Sequence, residues 1–357
     1  MNASAQVTQW LLTRDWGELT RHFSSHPPIR ADEYHARALM KLHQVARPVD
    51  IDWAFVISDL RQACSLNPSN ALMAVNLTQA LLDSRQPQEA YETAKQTFKL
   101  HPNAYPVMEK LALAADATHR WAEALATLKQ AKQTLAENQL LPPSLERLLV
   151  ELSSRWWEPI VKDGVVLRHP DNSDADFLTS TFNDVDFMQR YHRFQEAGTV
   201  VVKKLIVQAH QPLRQTRRID WIVLDRIGNR VGLAAIVDID WRNERGELLI
   251  GLPGQRNPMI SLKASVAVLE FAFKQLRLAK MVSYVYGDNP EAQTNTLHLG
   301  FKQEGLLRSH IASPSGRLDL LVNGMTRNDF ADNALLNKLV RRWSAMDING
   351  NRDLQHR

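Results

Sequence analysis

The chain has 357 residues, 44% hydrophobic and 23% charged, with a formal net charge of +4. That length points to two domains, and that composition to an ordinary soluble fold and not a disordered or fibrous one. A single cysteine, Cys64, excludes a disulfide frame and a cysteine metal cluster and fits a reducing, cytoplasmic setting. The charge is uneven. Residues 1–155 carry 16 basic and 16 acidic side chains, and the remainder 27 and 23. This excess is too small to suggest nucleic acid as a partner, and no apolar run reaches the length of a membrane span. The opening residues, MNASAQVTQW, lack the basic and apolar runs of a signal peptide.

The first half repeats itself. Pro68 and Pro102 close the runs Leu66-Asn67-Pro68 and Leu100-His101-Pro102, 34 residues apart, and Glu89-Ala90 recurs at the same interval as Glu123-Ala124. Apolar spacing predicts helices over 71–83, 87–100, 105–117 and 121–135. Earlier helices are predicted over 15–25 and 53–66, with an insertion near Arg47-Pro48-Val49-Asp50. Prolines end the second helix of each unit because they cannot continue its hydrogen-bond ladder. On Leu77, Ala90, Pro102, Leu111, Ala124 and Ala131 the pattern resembles the tetratricopeptide repeat, although most of that family's bulky aromatics are missing. The resemblance implies an all-α solenoid of helical hairpins over 1–140 that binds a protein or peptide partner or serves as an oligomerisation platform. His22 and His26 are four residues apart, but without a third ligand nearby no metal is expected.

Leu141-Pro142-Pro143 breaks this pattern, and a linker helix is predicted over 144–157 within a boundary segment 141–160. After it come a short strand at 164–168, helices over 172–182, through 191 and over 200–210, and strands at 219–225, 231–239 and 247–252. A strong helix over 261–276, a strand at 281–286, a short polar helix and a hairpin of 306–312 with 318–324 complete a domain over 161–330. Residues 331–357 read as an amphipathic helix, with Leu335, Leu336, Leu339 and Trp343, and a polar tail.

The strand at 281–286 runs into Gly287-Asp288-Asn289-Pro290 and ends on Leu299-Gly300-Phe301. With Asn289, Ala292, Leu299, Gly300 and Phe301 in register, this stretch and the element order resemble the GNAT superfamily of acyl-CoA-dependent N-acyltransferases, in the branch of the ribosomal-protein N-terminal acetyltransferases. The implied fold is α+β, with a mostly antiparallel sheet splayed at its centre so that acetyl-CoA sits in the V. The family's phosphate loop maps to Arg256-Asn257-Pro258-Met259-Ile260-Ser261, where Met259 stands in place of a glycine. The resemblance assigns Leu252, Arg256, Asn257, Ser261, Leu262, Asn289 and Ala292 to the co-substrate.

For catalysis, Glu247 is the first candidate base, ahead of Asp238 and Asp240, each of which could instead close a strand end. The family's tyrosine acid falls on Thr296, a poor proton donor, so Tyr286, Tyr284 and His298 are the substitutes. The expected activity is acetyl transfer to a primary amine, of a protein first and an amino sugar second, with the repeats recruiting the acceptor. The competing reading is a non-catalytic scaffold built on the same fold, and self-association is left open.

Overall fold

The computed structural model describes residues 3–136, 139–192, 198–254, 258–313 and 316–350, without side chains at 3–4 and 343–350. The chain divides into two compact units, Met1–Ser153 and Ser154–Arg357.

The first unit is helical: α1 (Ala3–Thr13), α2 (Trp16–Ser25), α3 (Ala31–Gln44), α4 (Trp53–Leu66), α5 (Ala71–Asp83), α6 (Pro87–Leu100), α7 (Tyr105–Ala117), α8 (Trp121–Thr134) and α9 (Pro143–Ser153). Asp15, Asp52 and Asn70 cap α2, α4 and α5 by accepting from backbone N–H groups one turn in, which explains why those helices start where they do. The 34-residue period is a feature of the backbone as well. Arg85 and His119 both take left-handed conformations, at φ 62° and 59°, in the turns from α5 to α6 and from α7 to α8. In the same turns the Gln86 N–H donates to Leu81 O and the Arg120 N–H to Ala115 O. Ala90, Ala124 and Ala131 are fully buried where consecutive helices pack, because a methyl group lets the backbones approach. The insertion is a 3-10 turn, Pro48–Asp50. The helix expected over 144–157 ends earlier, at Ser153. Arg155 follows with φ 51°, which an L-residue does not adopt inside a helix, so Trp156 and Trp157 are not helical.

The second unit is built on an eight-stranded sheet: β1 (Ile160–Lys162), β2 (Val165–Arg168), β3 (Ile219–Leu224), β4 (Arg230–Asp240), β5 (Arg245–Gly251), β6 (Lys280–Tyr286), β7 (Lys302–Ser313) and β8 (Gly316–Thr326), in the order β1-β2-β3-β4-β5-β6-β8-β7. Helices α10 (Ala175–Asn183), α11 (Val185–Tyr191) and α12 (Thr199–Ala209) cover one face, packing on Ile222, Leu233, Ala235, Val237 and Leu249. Helix α13 (Pro258–Glu270), extended by a π-helical turn Phe271–Gln275, packs on β1, β2, β4 and β5, where Phe271 meets Trp221 edge-on at 5.6 Å. Trp221 and Ile222 are neighbours in β3, so alternation sends them to opposite faces and places α13 opposite α10–α12. The remaining helices are α14 (Pro290–His298), α15 (Arg327–Asp332) and α16 (Ala334–Gly350).

The sheet is mixed, with one parallel pairing among antiparallel ones. Strands β5 and β6 pair parallel, because the α13 crossover returns the chain in the same direction. Their pairing covers only Arg245–Lys280, Gly246–Met281 and Glu247–Val282, after which the strands separate.

Candidate active site

The separation of β5 from β6 leaves the backbone of Leu248–Gly251 on one side and of Ser283–Tyr286 on the other without a shared ladder. Between them lies a cavity of about 390 Å³. Its polar lining comes from Ser261 and Ser265 of α13, Tyr284 and Tyr286 of β6, and Asn289 and Asn295 of α14. Its apolar end is formed by Leu262, Leu299 and the α16 side chains Leu335, Leu336 and Leu339. A second opening of about 490 Å³ shares Tyr191, Ile250 and Asn289 with it and adds Leu252 and Gly254.

Each wall has a local cause. Asn289 is the N-cap of α14; its Oδ1 accepts the Ala292 N–H at 3.1 Å, and Pro290 at the first helical position fixes the entry. Gln293 donates to Asn323 Oδ1 at 2.9 Å, and the fully buried Asn323 donates to Ser283 O at 3.1 Å, which ties α14 to β6 through β8. Gly300, at φ 97°, makes the turn out of α14, and a Cβ there would collide with Asn333 at the start of α16. Gly251 ends β5 beneath the stacked rings of Phe187 and Tyr191, 5.1 Å apart, and a Cβ there would meet both.

Of the residues expected from the sequence, Ser261, Leu262, Tyr286, Asn289, Ala292 and Thr296 converge on the cavity, and Thr296 is only 9% exposed. Leu252 lines the second opening instead, with its side chain over Gly232. Arg256 and Asn257 lie outside the described residues. Met259, the residue in place of the family glycine, is 50% exposed and outside the lining, so it does not fill the V. Tyr284 and His298, named as substitute acids, also line the cavity.

Glu247 is in the last β5–β6 pair, at the fork of the V, but it is not among the residues lining either opening. Alternation puts it on the face of Leu249, towards α10–α12, opposite α13. Burial, and after it the neighbouring Asp238, push its carboxyl up to about 7. Asp240 has a structural role, since it accepts from the backbone of Arg242 and Asn243 and from the Asn243 amide and so closes the β4–β5 turn.

Sequence reasoning missed Arg190 and Tyr191 of α11, Ser265 and Asn295. For Asn295 the signal was present, since Asn289, Ala292, Asn295 and Thr296 follow helical spacing on one face of α14. Leu335, Leu336 and Leu339 were legible as an apolar face, but their target was not.

Residues 165–302 match the family model of the acetyltransferase (GNAT) domain. An uncharacterized N-acetyltransferase of Bacillus subtilis (strain 168), YoaA, is 26% identical over 160 residues, 43% of this chain and 88% of that protein. Among solved structures, spermidine N-acetyltransferase from Vibrio cholerae in complex with CoA and spermine is 19% identical, with a TM-score of 0.43 over 47% of this chain and 99% of that one. The dodecameric form of the Vibrio cholerae enzyme in an intermediate state is 18% identical, with a TM-score of 0.42 over 48% of this chain and 98% of that one. The second unit therefore carries a GNAT acetyltransferase domain, the domain of an N-acetyltransferase enzyme.

Proposed function

We propose that the protein transfers an acetyl group from acetyl-CoA to a primary amine, and that the amine belongs to a protein. The observation that carries this reading is the V between β5 and β6, lined by Ser261, Asn289 and Ala292, with Glu247, raised to about 7, in the strand pair at its fork. The residues present suit the co-substrate. The first turn of α13, with Ser261, presents N–H groups and the positive helix end to phosphate. The V is lined by both polar and apolar side chains, which suits a pantetheine arm. Acetyl-CoA supplies an activated thioester.

In this reading Glu247 takes the proton from the acceptor ammonium, which makes the amine a nucleophile; a value near 7 suits a base working at neutral pH. A backbone N–H at the end of β5, near Leu252, donates to the carbonyl oxygen as charge gathers on it. Tyr286 is the assigned donor to the departing sulfur, since a phenol is a far stronger acid than the hydroxyl of Thr296, which also lines the cavity. By the family pattern, Arg256 and Asn257 are also assigned to the phosphates. The 34-residue hairpins of the first unit form the tetratricopeptide-like solenoid that holds a protein acceptor, raising its effective concentration at the site. Among the described residues no helix is long and apolar enough to cross a membrane. With the single thiol, Cys64, we place the protein in the cytoplasm.

The test is calorimetric titration of the full chain with acetyl-CoA, beside an Ala292→Trp variant that fills the V. Binding that the variant loses supports the reading; equal binding by both, or none by either, removes it. Radiolabelled acetyl transfer to basic peptides and to polyamines then separates a protein acceptor from a small one.

A further inference from the structure

Strand β4 carries one residue too many beside the fork of the V. Val237 pairs with Glu247 and Asp240 with Arg245, so three steps along β4 match two along β5. The extra residue is Asp238, held at φ 50°. Its neighbours show what the bulge does. Val237 belongs to the core under α10–α12. Ile239 is buried beside the position of a Gly246 Cβ, which alternation places on the opposite, α13 face. In a regular strand Val237 and Ile239 would share a face and Asp238 would point towards α13. The bulge breaks that alternation and turns the Asp238 carboxylate to the side where Glu247, His192 and Arg218 stand, all three of which sense its charge.

We infer that Asp238 is a positioning residue: turned by the β4 bulge onto the face of Glu247, it adds a like charge to the effect of burial and so makes the base available only at higher pH than burial alone would. The inference rests on Glu247 acting as the base for transfer, although the electrostatic link between the two carboxyls stands without it. The other groups on this face do not take over that role. Arg218 of the β3 approach is locked in a two-pronged ion pair with Asp220, 2.7 Å at each prong. Tyr191 of α11 faces Glu247 with a neutral phenol, its own proton held more tightly by burial. His192, at the end of α11, is kept neutral by burial and by Arg218, with Asp238 opposing. Arg245, on the same strand as Glu247, turns towards Asp240 at 3.9 Å. Asp238 is the like charge that remains, and it is exposed while Glu247 is half-buried. Nothing but its field need change for the proton on Glu247 to loosen.

The test is a pH titration of the Glu247 carboxyl by NMR, in the full chain carrying carboxyl-labelled glutamate, with the resonance assigned by its loss in Glu247→Gln. Asp238→Asn keeps a side chain that tolerates the left-handed backbone, and Asp238→Gly keeps the bulge with no side chain at all. In both, the Glu247 midpoint is expected to fall by roughly half a unit or more, as removal of a like charge requires. An unchanged or raised midpoint in folded Asp238→Asn and Asp238→Gly overturns the inference. Activity separates it from the reading beneath it: if Glu247→Gln transfers acetyl groups as fast as the parent, Glu247 is not the base, whatever the titration shows. If Glu247 is the base, the acid limb of the rate profile moves to lower pH with the midpoint in both Asp238 variants.

Discussion

Glu247 lies on β5 at its last pairing with β6, and burial, helped by Asp238, raises its carboxyl from the ordinary 4.5 to about 7. A carboxyl whose folded value is raised binds its proton more readily folded than unfolded. Its contribution to stability is complete below the unfolded value and is lost as the pH rises through about 7. Glu247→Gln removes that loss. Thermal unfolding is therefore expected to show the variant gaining on the parent as the pH rises from about 5 to about 8, with no gain at the acid end. Asn289 is tested differently. Its Oδ1 caps α14, so Asn289→Ala is expected to cost about 1 kcal/mol in denaturant unfolding, and weaker acetyl-CoA binding should accompany the loosened first turn. At Gly251 the added Cβ of an alanine would reach the rings of Phe187 and Tyr191 at 2.6 to 2.7 Å. These are packed side chains with little room to retreat, and Gly251→Ala should cost roughly 1–3 kcal/mol and shift the near-ultraviolet dichroism of the stacked pair.

Among the elements, α16 has the least expected role. It follows the residues matched to the acetyltransferase domain, yet Leu335, Leu336 and Leu339 close one end of the cavity. Its docking is specific. Asn333 caps it by accepting the Leu336 N–H at 3.0 Å and donates to Leu299 O at the end of α14, beside the bare Cα of Gly300. Leu336 is 1% exposed, so Leu336→Ala is expected to cost about 2–5 kcal/mol. If α16 is a wall and not an ornament, the variant should also bind a hydrophobic dye at the opened end; unchanged dye binding in the folded variant would count against that. Helix α11 was legible only as a helix. That its Tyr191 and Arg190 reach the V follows from how β5 bends away from β6, which no local spacing encodes.

At the scale of the molecule, two units with separate cores divide the work in the proposed reading. A chain of residues 154–357 contains every described residue of the cavity and should bind acetyl-CoA as tightly as the full chain. Its transfer to a protein acceptor should drop while transfer to a small amine stays the same, because only the former draws on the helical hairpins. Equal loss towards both acceptors would remove the recruiting role from the first unit.

The sequence alone determined the repeating helices of the first unit almost residue by residue, α5, α6 and α7 lying where apolar spacing and prolines placed them, whereas α1 and α3 were not read from it. Capping residues, helix-ending prolines and small residues at close contacts act within a few positions of chain, so a linear reading finds them. The same holds for the stretch from Asn289 to Phe301, whose cap, helix and glycine turn are local events. Tertiary structure alone decided the rest. Strand β1 is three residues long and exists because β2 pairs with it. The parallel pairing of β5 with β6 and its end at Glu247 depend on α13 packing across distant strands. Asp238 looked like one acid among several. A bulge one residue long turned it onto the face of Glu247, and where a bulge falls is settled by pairing with the neighbouring strand, which the strand's own alternation does not show.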